Sequence, residues 1–109
     1  FAAAAAHKIG TGFVPIRKKG KLPWKTYEES YSLEYGEATV AIHQDALEPG
    51  ARVLLLDDLL ATGGTAAAAV SLLEKIGAEI VEIGFLIELG FLNGREKMGD
   101  HPINSLITY

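Results

Sequence analysis

Residues 53–65 read Val53-Leu54-Leu55-Leu56-Asp57-Asp58-Leu59-Leu60-Ala61-Thr62-Gly63-Gly64-Thr65. The four apolar residues at the start predict a strand that is buried on both faces of a parallel sheet and ends near Leu56. Two carboxylates follow, then a short turn with two glycines, and then an alanine-rich helix that we expect to begin near Thr62. This order is typical of a site for a phosphorylated sugar, because N–H groups of the turn and of the helix N-terminus can bind phosphate.

The side chains of this stretch divide into two sets. The threonines add hydroxyl donors, and the glycines let the backbone approach phosphate oxygens without a Cβ in the way. Asp57 and Asp58 repel phosphate but accept hydrogen bonds from hydroxyls, so we expect them to face ribose hydroxyls or a hydrated cation. An ordinary strand–turn–helix with a polar turn is the alternative. The residues predicted to hold the phosphate are Ala61, Thr62, Gly63, Gly64 and Thr65.

Bulk properties limit the function classes. A chain of 109 residues fits a single domain, and a formal net charge of −4 argues against general nucleic-acid binding. The absence of cysteine excludes thiol catalysis and fits a cytoplasmic location. No apolar run approaches the roughly 20 residues that cross a bilayer, so we expect no membrane segment. Because the chain begins at Phe1 within a run of alanines, we expect it to be part of a longer protein.

A basic cluster precedes the acidic pair in the chain. Five of the ten basic residues lie between Arg17 and Lys25, after a predicted short strand at Phe13–Ile16. Ligands of open α/β sheets bind beyond the carboxyl ends of strands, so we expect this cluster on the same rim as the acidic pair, facing a pyrophosphate. Arg17 is the best candidate, because a guanidinium can bind phosphate oxygens at two points. The alternative is a solvated charged loop.

The remaining elements follow from hydrophobic periodicity. A helix is predicted from Phe1 to about Lys8, a β-hairpin within residues 26–44 with Glu29 as a misfit, and strands at Ile80–Leu89 and Ile103–Tyr109. Strands alternating with helices indicate an α/β fold with a mostly parallel sheet, in which residues 17–44 form a basic loop and a flexible hairpin. The histidines show no metal-ligand spacing, so we expect no metal centre held by the protein, and His43 is predicted to lie at the surface.

Three separated segments resemble motifs of the type I phosphoribosyltransferases, in particular the adenine branch. They are Asp57-Asp58-Leu-Leu-Ala-Thr-Gly-Gly-Thr65, Arg17-Lys-Lys-Gly-Lys-Leu-Pro23 and Ser30-Tyr-Ser-Leu-Glu-Tyr-Gly36. The resemblance implies that Arg17, Lys18 and Lys21 contact pyrophosphate. It also implies that Glu34 has an acid/base or base-orienting role and that Tyr35 helps to close the site. The family's N-terminal part, with the hood over the base, has no counterpart in this chain.

The resemblance implies a purine-salvage enzyme. It would transfer the phosphoribosyl group of phosphoribosyl pyrophosphate (PRPP) to adenine, giving AMP and pyrophosphate. It further implies Mg²⁺ bound mainly through PRPP or pyrophosphate, with Asp57 and Asp58 contacting it through water, and a homodimer. The alternatives are another purine phosphoribosyltransferase, a PRPP-binding regulator without catalysis, and a segment that folds only with missing residues or a partner.

Overall fold

The computed structural model describes residues 1–33 and 36–109, which form two three-stranded sheets packed around one helix. In chain order the elements are α1 (Ala2–Ile9), β1 (Arg17–Lys18), β2 (Thr26–Leu33), β3 (Gly36–His43), β4 (Arg52–Leu60), α2 (Gly64–Ile76), β5 (Glu79–Glu88), two 3₁₀ turns (Gly90–Leu92 and Gly94–Met98) and β6 (Ile103–Thr108). The predicted first helix is confirmed, and it ends at Gly10 in the left-handed conformation that glycine adopts readily.

The antiparallel sheet has the strand order β1-β3-β2. Its main part is the predicted hairpin, in which β2 and β3 pair from Thr26 opposite His43 to Leu33 opposite Gly36. The strand predicted at Phe13–Ile16 is wrong: this segment has irregular backbone, and pairing with β3 starts only at Arg17. Pro15 gives the reason, because proline has no N–H group to donate to a neighbouring strand.

The parallel sheet has the strand order β4-β5-β6, with β6 at one edge as predicted. β4 continues to Leu60 rather than ending near Leu56, because its backbone stays paired with β5 as far as Leu60 opposite Glu88. The acidic pair therefore lies inside the strand and not in the following loop. Leu54 and Leu59 are about half exposed, so the prediction that the strand is buried on both faces is also wrong. α2 packs on one face of this sheet only.

α2 lies at the centre of the fold, in contact with β2 and β3 on one side and with β5 and the second 3₁₀ turn on the other. Because α2 contacts both sheets, its buried residues are not confined to one stripe of the helix surface. Its buried residues are Ala66, Ala68, Ala69, Val70, Leu72, Leu73 and Ile76. In the described part of the chain, no helix has the length and hydropathy to cross a bilayer.

Candidate active site

A cavity of about 940 Å³ opens between the two sheets. Its lining includes Arg17 and Lys18 from β1, Tyr31 from β2, Asp57 from β4 and Thr65 from the first turn of α2. The structure therefore places cationic side chains, a carboxylate and a helix N-terminus around one space. The lining reaches the start of α2 at Thr65 but does not include four of the residues predicted to hold the phosphate, Ala61, Thr62, Gly63 and Gly64.

The two carboxylates of the acidic pair lie in different environments. Asp57 is half-buried and lines the cavity, whereas Asp58 is exposed and lies outside that lining. Successive side chains of a strand point to opposite faces, so the two carboxylates diverge. Burial raises the pKa of Asp57 above its ordinary value, against the opposing effect of the Asp58 amide, which donates a 2.9 Å hydrogen bond to Asp57 Oδ1. Asp57 is thus the better placed of the two to meet a ligand in the cavity.

The phosphate loop, residues 61–64, connects β4 to α2. Helix α2 begins at Gly64, two residues later than predicted, because Gly63 has a φ of 86°, outside the right-handed helical region. The N-cap carries no side-chain hydrogen bond to the helix. Since the first N–H groups of any helix lack partners within the helix, those of α2 are suited to bind an anion. Thr62, within the loop, and Thr65, directly after it, carry hydroxyl groups and are both exposed.

The phosphate loop packs against the second 3₁₀ turn through two glycines. A Cβ added at Gly94 would lie 2.5 Å from the carbonyl oxygen of Ala61 and 3.1 Å from the amide nitrogen of Gly63. A Cβ added at Gly63 would in turn collide with the carbonyl oxygen of Gly94. The backbones of the two segments are therefore too close to admit a side chain at either position.

The hairpin of β2 and β3 approaches the phosphate loop through Tyr31. A Cβ added at Gly64 would lie 3.1 Å from Tyr31 Cδ2, so the aromatic ring packs on the first residue of α2. The predicted catalytic residues Glu34 and Tyr35 lie outside the described residues. Tyr31 belongs to the Ser30–Gly36 motif, but the sequence assigns it no role. The alternating pattern indicates only that Tyr27 and Tyr31 lie on the same face of a strand.

Only some of the basic residues line the cavity. Arg17 and Lys18 pair with Ala41 and Val40 of β3, and this pairing fixes their positions at the cavity wall. Lys21 is exposed and lies outside the lining, in a turn where its amide donates to the carbonyl of Lys18 at 3.2 Å. The adjacent Lys19 is within 3.5 Å of Glu28, which agrees with a structural role for that lysine.

A hydrogen-bond network of three polar side chains lies next to the phosphate loop. The sequence alone does not link these three residues. Glu88, at the end of β5, is only 5% exposed and accepts hydrogen bonds from Arg95 and from Ser105 of β6. The Arg95 guanidinium, together with the Ser105 hydroxyl, holds the pKa of Glu88 below its ordinary value despite burial. In the sequence, the sign of this network is a carboxylate that interrupts an apolar strand and is followed by an arginine seven residues later.

Two residues of the hairpin differ from their expected environment. Glu29, the misfit in the strand pattern, faces α2, where it accepts hydrogen bonds from Lys75 Nζ at 3.0 Å and Ser71 Oγ at 3.2 Å. His43, predicted at the surface, is only partly exposed, and its Nε2 is buried without a hydrogen-bond partner among the described residues. The surface prediction for His43 is therefore wrong, because β3 is the central strand of its sheet.

The described residues hold no cluster of three or more His, Cys, Asp or Glu side chains arranged for a metal ion. The donor chemistry that the cavity offers is a carboxylate, from Asp57, with Asp58 next to it in the chain. Carboxylates suit Mg²⁺, which keeps several of its waters and binds largely through substrate phosphates. The residues present therefore fit a magnesium ion that is held mainly by its substrate.

The fold, with a glycine-containing loop between the parallel strand β4 and helix α2 and a hairpin beside it, is that of the type I phosphoribosyltransferases. A family model described as the phosphoribosyl transferase domain matches residues 1–104, and the chain belongs to this family.

More particular similarities point to one branch of the family. An adenine phosphoribosyltransferase of a Nocardioides species is 60% identical over 106 residues, which cover 97% of this chain and 57% of that protein. The crystal structure of an adenine phosphoribosyltransferase from Thermoanaerobacter pseudethanolicus has a TM-score of 0.94 and 50% identity, covering 98% of this chain and 62% of that one. The Saccharomyces cerevisiae enzyme, complexed with an imino-altritol bisphosphate and adenine, has a TM-score of 0.91 and 43% identity, covering 94% and 58%. The chain thus spans about three fifths of the length of these proteins.

Proposed function

We propose that this chain carries the PRPP-binding half of an adenine phosphoribosyltransferase. The whole enzyme would transfer the 5-phosphoribosyl group of PRPP to adenine and release AMP and pyrophosphate. The observation that carries the proposal is the single cavity lined by Arg17, Lys18, Asp57 and Thr65. The identity to proteins named adenine phosphoribosyltransferase supports adenine as the base.

The two anionic ends of PRPP would bind at two places, one at the basic residues that line this cavity and one at the phosphate loop, which adjoins the cavity at Thr65. The 5′-phosphate would lie against the N–H groups of the phosphate loop and the start of α2, with the hydroxyls of Thr62 and Thr65 as further donors. The pyrophosphate would lie against Arg17 and Lys18, and Lys21 would reach it from the exposed turn. Asp57 would accept hydrogen bonds from the ribose hydroxyls, and Asp58 would contribute from the adjoining position.

The reaction breaks the bond between the anomeric carbon and the pyrophosphate oxygen and forms one to a nitrogen of the base, whose proton would pass to Glu34 in its predicted acid/base role. The bonding electrons leave with pyrophosphate, whose growing negative charge is stabilised by the cationic side chains. Mg²⁺, when bound, would supply further charge neutralisation at the phosphate oxygens. Fixing the ribose hydroxyls holds the anomeric carbon in line with the base, and the hairpin that carries Glu34 and Tyr35 would close over it and exclude water.

The proposed function is tested with the whole protein, PRPP and Mg²⁺, by measuring AMP formation from adenine beside the corresponding reactions with hypoxanthine and guanine. We expect AMP as the main product. A preference for another purine would support a different purine phosphoribosyltransferase, and PRPP binding without any nucleotide product would support a non-catalytic regulator. The homodimer remains a prediction of the family resemblance, and the cytoplasmic location remains a prediction from the absence of cysteine. Sedimentation of the whole protein tests the homodimer.

A further inference from the structure

We propose that Glu88 and Arg95 are positioning residues, which act through Gly94 to hold the phosphate loop in the shape that binds a sugar phosphate. The inference rests on the proposed function of that loop. It assigns a role to a charged pair that lies in none of the three motifs.

The pair is held by several hydrogen bonds at once. Arg95 Nε donates to both carboxylate oxygens of Glu88, at 3.0 and 2.7 Å, and Nη2 donates to Oε1 at 2.7 Å. Ser105 Oγ donates to the same oxygen at 2.8 Å, and Arg95 Nη1 donates to the carbonyl oxygen of Ile103 at 3.2 Å. Arg95 is therefore fixed in position and orientation against both β5 and β6, as a bidentate guanidinium–carboxylate pair allows.

The fixed arginine determines where the preceding residue lies. Gly94 is buried, and its Cα packs on the carbonyl of Ala61 and the amide of Gly63, with Leu60 Cδ1 also within 2.9 Å of an added Cβ. The amide of Leu89, next to Glu88, donates a 2.9 Å hydrogen bond to the carbonyl of Leu60. The pair thus supports both ends of the chain segment that contacts the phosphate loop.

The contact with Gly94 adds to two others that hold the phosphate loop, the Tyr31 ring on Gly64 and the 2.9 Å hydrogen bond from the Ala67 amide to the Gly63 carbonyl. Gly63 is in the left-handed region, and α2 has no side-chain cap that would fix the loop to the helix. If Glu88 releases Arg95, Gly94 can move and the loop N–H groups lose their common direction. The pyrophosphate site should not respond, because Arg17 and Lys18 are positioned by pairing with β3 in the other sheet.

The experiment compares two substitutions on the same strand in the whole enzyme. Glu88→Gln removes the charge of the buried pair, and the matched control Glu79→Gln removes the charge of an exposed pair with Arg52 at the opposite end of β5. Titration calorimetry measures the affinity for ribose 5-phosphate and, separately, for magnesium pyrophosphate. For Glu88→Gln we expect ribose 5-phosphate affinity to fall by between about tenfold and 100-fold, as for misplacement of binding groups by about 1 Å, with pyrophosphate affinity unchanged. Glu79→Gln should leave both affinities unchanged.

Equal weakening of both ligands in Glu88→Gln, or no weakening of either, would overturn the inference, because a general loss of folding does not select between the two sites. If Glu88→Gln does not fold, Ser105→Ala removes one hydrogen bond from the same carboxylate and should give a smaller loss confined to ribose 5-phosphate. Wild-type protein that binds ribose 5-phosphate but forms no AMP would contradict the proposed function alone. Wild-type protein that does not bind ribose 5-phosphate would contradict both.

Discussion

The two sheets pack on the same helix but hold it by different kinds of contact. Besides apolar packing in the shared core, which includes Val40 and Ile42, the antiparallel sheet meets α2 through Glu29 and its partner Lys75. On the other side, the 3₁₀ turn that follows β5 meets the loop before α2 through close backbone contacts at Gly63 and Gly94. The Glu29 pair and the Glu88 pair both have a cation that is about half exposed, Lys75 at 53% and Arg95 at 47%, but the Glu88 side chain is only 7% exposed, against 30% for Glu29. Because a carboxylate shielded from solvent loses more when its partner is removed, we expect loss of the Glu88 pair to cost more than loss of the Glu29 pair.

The largest expected effect separates the two members of the acidic pair. Asp57→Asn should weaken PRPP binding by about 1.5–3 kcal/mol for each charged hydrogen bond lost to ribose, because its carboxylate lines the cavity. Asp58→Asn, at an exposed position, should cost less, and the double variant should lose a few kcal/mol in total. Calorimetry with PRPP and Mg²⁺ measures each value. Unchanged affinity in the double variant would remove the acidic pair from the site.

The next effect tests the rigidity of the phosphate loop. Gly63→Ala should destabilise the protein by more than the roughly 1–2 kcal/mol that a left-handed alanine costs, because its Cβ also collides with the carbonyl oxygen of Gly94. Gly50→Ala is the matched control: Gly50 has a φ of 84°, and nothing lies within 4 Å of an added Cβ. Urea unfolding of the two variants isolates the cost of the contact. Equal destabilisation would mean that the loop and the 3₁₀ turn separate easily.

The smallest effect is on the pH dependence of stability. Partners lower the pKa of both Glu29 and Glu88 below the ordinary value of 4.5: Lys75 and then Ser71 for the first, Arg95 and then Ser105 for the second. A carboxyl whose pKa is depressed on folding stabilises the protein fully above its unfolded pKa, and this contribution is lost as the pH falls through the folded value. Glu88→Gln should therefore flatten the acid limb of the stability curve.

The same measurement on Glu29→Gln sharpens the comparison between the sheets. Its effect on the acid limb should be smaller, because the Glu29 side chain is 30% exposed and solvent screens its ion pair. Urea unfolding between pH 7 and pH 3 gives both curves. If Glu29→Gln flattens the acid limb of the stability curve more than Glu88→Gln does, the expectation that the Glu88 pair is the stronger of the two is wrong.

Local patterns predicted those parts of the fold that depend on neighbours in the chain. Hydrophobic periodicity predicted the hairpin and the first helix, and Gly10 and Gly77 end the two helices as left-handed caps. The end of β4 was misplaced because strand pairing with β5 continues through Asp57 and Asp58, and an acidic pair gives no local sign of such pairing.

For the site, the sequence identified the residues that the motifs contain but not those that support them. Glu88, Ser105 and Arg95 meet only because β5 and β6 are adjacent, and the sequence alone does not fix that register. Glu29 appeared as an error in the strand pattern because its partner Lys75 lies 46 residues away on α2. Contacts between distant segments therefore account for what sequence reasoning missed.

The central claim is that PRPP extends from the basic residues of the cavity to the phosphate loop, which adjoins the cavity at Thr65. A crystal structure of the whole protein with ribose 5-phosphate and magnesium pyrophosphate tests it most directly. The account predicts the sugar phosphate against the amides of Gly63, Gly64 and Thr65, its ribose hydroxyls on Asp57, and pyrophosphate against Arg17 and Lys18. A sugar phosphate bound at the basic cluster, with the phosphate loop empty, would contradict it.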